Sequence, residues 1–275
     1  MFKKQLIALA LASCACSSAM AITWGAPDNG EHPNVGTLLF VQNGVGFFSC
    51  TGTMIAPRVM LTAAHCVSEA GNTNDITYVR FEEEALSGIG DYASLQDWFN
   101  NEWMSTTAVI AHPDWTDYGE FPMTYDIGVV ILDQPYYPSN GFGQLPPEGF
   151  LENLKGQDRR FFESVGYGRQ GTLPPTEMSD YERYKGDVRL LEVNSYLSGQ
   201  GEASAKFSNN PGVGGGTCYG DSGGPTFYKE TNLVVSVTSF GWAKNGNCVG
   251  NDFNYRTDTT DAISFINDVL VQYGN

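Results

Sequence analysis

Short runs of Val, Ile, Phe, Tyr and Thr, separated by clusters of Gly, Pro, Asn and Asp, recur along this 275-residue chain. They include Val35 to Gln42, Arg58 to Thr62, Thr106 to Ile110, Ile127 to Leu132, Phe161 to Tyr167 and Leu233 to Phe240. β-Branched and aromatic side chains suit a pleated, half-buried surface, and the separating residues suit turns, so the pattern predicts an all-β fold. One stretch departs from it. Ala262, Phe265, Ile266, Val269, Leu270 and Tyr273 recur near the helical period, with Asp258 and Asp261 at the amino end, which predicts a single closing helix over about residues 259–273. No internal repeat interrupts the chain, and the Gly/Pro-rich Tyr136 to Gly149 reads as a crossing between two halves. A chain of this length buries a large core, and all-β folds of this size often form one domain.

The first residues run Met1-Phe2-Lys3-Lys4, an apolar Leu6 to Ala12, and Ala19-Met20-Ala21. That is the charge, core and small-residue order of a secretory leader over residues 1–21, leaving a mature chain from 22 to 275. The apolar run is shorter than the roughly 20 residues a bilayer core requires. A rival is Leu11-Ala12-Ser13-Cys14, which resembles a bacterial lipoprotein signal and would acylate Cys14; it ranks below cleavage after Ala21. With Lys3 and Lys4 removed from the 15 basic residues, 13 face 31 acidic ones, a formal charge of -18. Nucleic acid and anionic membranes are therefore excluded as partners.

Of six cysteines, Cys14 and Cys16 leave with the leader, and Cys50, Cys66, Cys218 and Cys248 remain, which in an exported chain predicts two disulfides with three pairings open. Zinc ligation is disfavoured because the chain has no C-x-x-C pair and His65 adjoins Cys66 directly. The segment from Glu82 to Ser105 carries Glu82-Glu83-Glu84 beside Tyr92, Trp98, Phe99 and Trp103. Its oxygen spacing fits no calcium template, so it is read as a charged edge over folded aromatics. No metal and no cofactor are expected.

Chemistry concentrates in Gly215-Gly216-Thr217-Cys218-Tyr219-Gly220-Asp221-Ser222-Gly223-Gly224-Pro225. Glycines this dense let the backbone turn sharply and bring a substrate carbonyl close to one exposed hydroxyl. Backbone N–H groups in such a turn, here those of Gly220 and Ser222, are suited to hold a developing oxyanion. A serine hydroxyl also needs a base. Of three histidines, His32 and His112 each precede a proline, whereas His65 ends the apolar Leu61-Thr62-Ala63-Ala64 beside Cys66. Asp126 opens the apolar run Ile127 to Leu132 and is the carboxylate best placed to be buried beside an imidazole.

These segments resemble the chymotrypsin and trypsin family of serine peptidases, of a secreted, bacterial type, with His65, Asp126 and Ser222 in the family's order. Ser239-Phe240-Gly241 is similar to the family's substrate-binding strand, with Phe240 in place of Trp. Val165-Gly166-Tyr167-Gly168 is similar to another of its strands. The resemblance implies two six-stranded antiparallel barrels, over about residues 22–140 and 150–256, with the catalytic groups in the cleft between them. It also implies pairing of Cys50 with Cys66 and Cys218 with Cys248. The roles are carried over from the family's own triad: Ser222 as nucleophile, His65 as base, Asp126 as its orienting acid.

The resemblance extends to the mature start and the pocket. Cleavage after Ala21 frees Ile22, whose α-amino group is expected beside Asp221, the acid before the nucleophile. Gly216 falls where the family's pocket floor lies, with Thr217, Ser239, Phe240 and Gly241 as further substrate contacts. A glycine floor implies broad or apolar-to-aromatic preference. Asp252 is read as a surface residue, the alternative being a pocket-wall carboxylate that receives Lys or Arg. The leading function is a secreted or periplasmic, monomeric endopeptidase acting on polypeptides and free of the membrane unless lipidated at Cys14. An esterase and a catalytically silent binding homologue are the other classes.

Overall fold

The computed structural model describes residues 22–274 apart from 43–44, 69–75, 117–123, 161, 172–180, 195–203, 211 and 243–246. The leader, Cys14 and Cys16 lie outside the described residues. A two-residue strand, β1 (Ala26–Pro27), precedes six strands that close an antiparallel barrel: β2 (Val35–Gln42), β3 (Val45–Ala56), β4 (Val59–Thr62), β5 (Ile76–Arg80), β6 (Met104–Ala111) and β7 (Gly128–Leu132). Around the ring the order is β2-β3-β4-β7-β6-β5. Strand β7 shows why its sequence is apolar without alternation. Val130 and Leu132 pack with Leu38, Met54 and Val79 in one cluster, while Val129 and Ile131 pack with Val165, Phe227, Val237 and Tyr255 from the second half in another. Side chains alternate in direction along a strand, so a strand covered on both faces is apolar throughout.

The second half comprises β8 (Phe162–Gly166), β9 (Tyr184–Val188), β10 (Leu190–Val193), β11 (Ser204–Asn209), β12 (Pro225–Tyr228), β13 (Val234–Trp242) and β14 (Gly250–Arg256). It is not the closed six-stranded barrel implied by the resemblance. With β1 it forms an open eight-stranded sheet in the order β1-β9-β8-β12-β13-β14-β11-β10. The cause lies at Arg189, the residue between β9 and β10. Strand β9 pairs with β8 and β10 with β11, so the curled sheet meets itself through chain continuity and not through a ladder. Arg189 N donates to Ser208 Oγ at 3.0 Å and Ser208 N donates to Arg189 O at 3.0 Å across the join.

The closing helix runs Thr260–Tyr273. Thr259 Oγ1 accepts from Ala262 N at 3.3 Å and caps it, and Ala262, Phe265, Ile266 and Val269 bury its apolar face against the shared core. It is not the chain's only helix: α1 (Ala64–Ser68), α2 (Leu95–Glu102) and α3 (Phe150–Asn153) precede it as α4. These are too short for an apolar period to show in sequence. Helix α2 lies in the Glu82 to Ser105 segment, where Trp98 and Trp103 are buried against Leu39 and Tyr78.

Candidate active site

His65 sits on α1, directly after β4 turns out of the barrel, and Asp126 precedes β7, the neighbour of β4. Adjacent strands thus deliver the two side chains to the same end of the barrel. His65 Nδ1 lies 2.9 Å from Asp126 Oδ2 and 3.1 Å from Oδ1, and the His65 backbone N–H donates to Oδ1 at 2.9 Å. Asp126 is completely buried. Desolvation works to raise its pKa, but the charge and hydrogen bonds of His65, with the Ser239 hydroxyl donating to Oδ2, outweigh it and hold the carboxyl below its ordinary value. The Trp115 ring flanks His65 at 6.4 Å between centroids.

Ser222 is half-buried on the turn after Gly220. Gly220 has φ +100° and Gly223 φ +76°, and a Cβ at Gly223 would stand 2.0 Å from Thr62 Oγ1 and 2.7 Å from Ala63 N. Glycine there lets the serine turn pack directly on the segment that carries His65. Thr51 N donates to Ser222 O at 2.8 Å and Thr51 Oγ1 to Gly220 O at 2.9 Å, fixing the turn to β3. Among the described residues the N–H groups of Gly220 and Ser222 are spent on no hydrogen bond. Asp221 is fully buried, its two oxygens accepting from Gly168 N and Cys218 N, each at 2.8 Å. Burial pushes its carboxyl up to about 7. Ile22 is also buried, against Tyr184, and Thr23 exchanges backbone hydrogen bonds with Gly216 at 2.9 and 3.2 Å.

Beside Ser222 opens a cavity of about 270 Å³. Of the residues named from sequence, Thr217, Ser239, Phe240 and Gly241 line it, and Gly216 does not. A Cβ at Gly216 would stand 2.0 Å from Asn209 Cγ. Asp252 is no surface residue: it is 2% exposed, lines the cavity, and accepts from Asn209 Nδ2 at 2.8 Å and Thr217 N at 2.6 Å. The disulfides join Cys50 to Cys66 and Cys218 to Cys248. The first pair lies within 4.8 Å of the His65 ring, but bonded sulfurs offer no thiolate to a metal.

The profile of the trypsin family matches residues 22–266. The chain belongs to that family of serine peptidases. It is similar to chymotrypsin-like elastase family member 1 of rat, at 26% identity over 76% of this chain and 74% of that protein, and of human, at 25% over 86% and 87%. In fold it is similar to a solved structure described as HL collagenase, with a TM-score of 0.65, 18% identity and coverage of 92% and 99%. The rat and human relatives overturn the bacterial type read from sequence, and the periplasmic location goes with it. No helix among the described residues is long and apolar enough to cross a membrane.

Two contacts escaped sequence reasoning. The Ser239 hydroxyl reaches Asp126 from 113 positions away, and Asn209, on β11, braces the cavity floor. Neither residue carries a local signal that announces its partner.

Proposed function

We propose that the chain is a secreted serine endopeptidase. The Ser222 oxygen attacks the peptide carbonyl carbon as its proton passes to His65 Nε2, while Asp126 holds the proton on Nδ1 and stabilises the imidazolium. The N–H groups of Gly220 and Ser222 receive the oxyanion. Collapse breaks the C–N bond, His65 gives its proton to the leaving amine, and water then releases the acyl group by the same steps in reverse order. The observation that carries this reading is the buried Asp126–His65 pair, at 2.9 Å, beside a turn whose serine lines the cavity.

The cavity walls of Phe240, Gly241, Val249 and the Cys218–Cys248 disulfide are uncharged, which supports a broad pocket open to apolar and aromatic side chains. Asp252 at its floor supports a second reading, retention of Lys or Arg. The mature start is Ile22: an isolated buried carboxylate is costly, and a freed amine on the buried Ile22 gives Asp221 its counter-ion. Amino-terminal sequencing of fully active enzyme tests this, and a different first residue overturns it.

A serine-directed phosphonate and a casein digest test the chemistry. Label and casein cleavage are both expected, and both are lost in Ser222→Ala. Labelling with intact casein favours an esterase, and a lack of label in folded protein favours a silent binding homologue.

A further inference from the structure

His112 is buried, and the catalytic steps above give it no part. It follows the Ala111–Gly128 pair of the β6–β7 ladder, and its backbone N–H donates to Ile127 O at 2.9 Å. Ile127 N in turn donates to Tyr125 O at 2.8 Å. A bond of that span makes Asp126 the centre of a three-residue γ-turn. Tyr125, which enters the turn, has φ +45°. Bulky L-residues rarely occupy the left-handed region, and they stay there only where the surroundings enforce it. The His112 ring supplies that enforcement, stacking on the Tyr125 ring at 4.8 Å between centroids and 13° between planes. Phe265 of α4 meets the same imidazole at 5.1 Å and 54°, so the closing helix holds the stack in place.

The imidazole is oriented as well as packed. Its Nδ1 accepts from Asp114 N at 3.2 Å, which makes the ring neutral with its proton on Nε2. The His112 carbonyl accepts from Trp115 N at 3.0 Å, closing the turn that carries the Trp115 ring alongside His65. One buried residue thus touches both the turn that presents Asp126 and the turn that presents a neighbour of His65.

We infer that His112 and Tyr125 are positioning residues for the peptidase reaction: their stack holds the strained turn that aims the Asp126 carboxylate at His65 Nδ1. This rests on the peptidase reading of Ser222, His65 and Asp126. A carboxylate fixed in this way meets the forming imidazolium without reorganising, whereas a turn free to relax lets it swing aside. Strain of this kind is kept where a geometry must be enforced, and here it falls on the residue adjoining the acid.

The test compares wild type with His112→Ala, His112→Phe and Tyr125→Gly. It uses steady-state kinetics on one peptide at mildly alkaline pH, where imidazoles are neutral, phosphonate labelling, and the downfield proton resonance of the His65–Asp126 hydrogen bond. His112→Ala is expected to lower kcat by about 10-fold or more with KM little changed, and to shift or broaden the resonance. His112→Phe restores a flat ring to the stack, and with it the resonance and most of kcat. Tyr125→Gly separates positioning from backbone strain, because glycine adopts this φ at no steric cost, yet kcat still falls and the resonance still moves. Where His112→Ala fails to fold, Tyr125→Gly decides. A resonance that stays put in folded His112→Ala or Tyr125→Gly, whatever the rate, overturns the inference and leaves the peptidase intact. So does a loss in His112→Ala that His112→Phe does not recover. Wild-type protein that neither cleaves the peptide nor takes the label overturns the peptidase reading and this inference with it.

Discussion

Replacing His32 with Gln will remove most of the alkaline pH dependence of stability. His32 Nδ1 lies 2.5 Å from Asp28 Oδ1 and Nε2 3.3 Å from Glu163 Oε1, and the ring stacks on Phe227. Burial alone would depress the imidazole pKa, but the hydrogen bonds and charges of Asp28 and Glu163 prevail and raise it from 6.5 to about 9. At about 1.4 kcal/mol per unit, the native state holds this proton more tightly than the unfolded chain by about 3 kcal/mol. A raised pKa stabilises fully below 6.5, and the contribution is lost as pH climbs through 9. The Asp28 carboxyl, held down at about 2, acts in the opposite sense, its contribution present above 3.8 and lost as pH falls through 2. The two describe one bond from either side and count once. For a domain of this size the loss corresponds to a Tm lower by about 6–12 °C between pH 6 and 9.5. Calorimetry of wild type and His32→Gln across that range measures it, and parallel declines in the two proteins would refute the reasoning. The site matters to the fold because Arg183 ties the same Asp28 at 2.8 Å to Val35 O, Phe81 O and the Tyr167 hydroxyl, joining the amino-terminal segment to both halves.

Three further outcomes are expected. Ser239→Ala removes a charge-assisted hydrogen bond to Asp126, worth about 1.5–3 kcal/mol, and lowers kcat by at least about 10-fold in steady-state assays with little change in KM. The Arg80 guanidinium donates to Ala85 O, Ser87 O, Ser87 Oγ and Glu102 Oε2 at 2.9–3.2 Å, so its buried charge is answered by the oxygens of the Glu82 to Ser105 segment. Arg80→Met therefore costs about 3 kcal/mol or more by urea denaturation, whereas a chelator leaves the Tm unchanged. Replacing Cys218 and Cys248 by Ser opens a link across 30 residues and costs about 3–4 kcal/mol by the chain-entropy relation, with weaker peptide hydrolysis because one cavity wall is loosened.

The barrel strands were legible because their signal is local: β2 occupies the Val35 to Gln42 run, and β7 follows the unbroken apolar stretch that double burial demands. The serine turn was legible for a similar reason, since its glycines, cysteine and acid stand within a few residues of Ser222. What sequence left hidden depends on pairing over long distances. The curl of the second sheet turns on Arg189 bonding to Ser208, and no composition signals that contact.

The misread Asp252 and the unforeseen role of Ser239 have one cause. Between β13 and β14, Thr238 stands opposite Asn254 and Phe240 opposite Phe253, so Ser239 is an extra residue in its strand. A bulge takes such a residue out of the regular register and turns its side chain aside, and the Ser239 hydroxyl meets Asp126. Beyond the bulge the register has moved by one, setting Gly241 against Asp252. A shift of one residue exchanges the faces that side chains on the two strands share. The same inserted serine that braces the histidine's acid therefore also decides which side chains of β14 share the cavity with Thr217, and Asp252 is one of them.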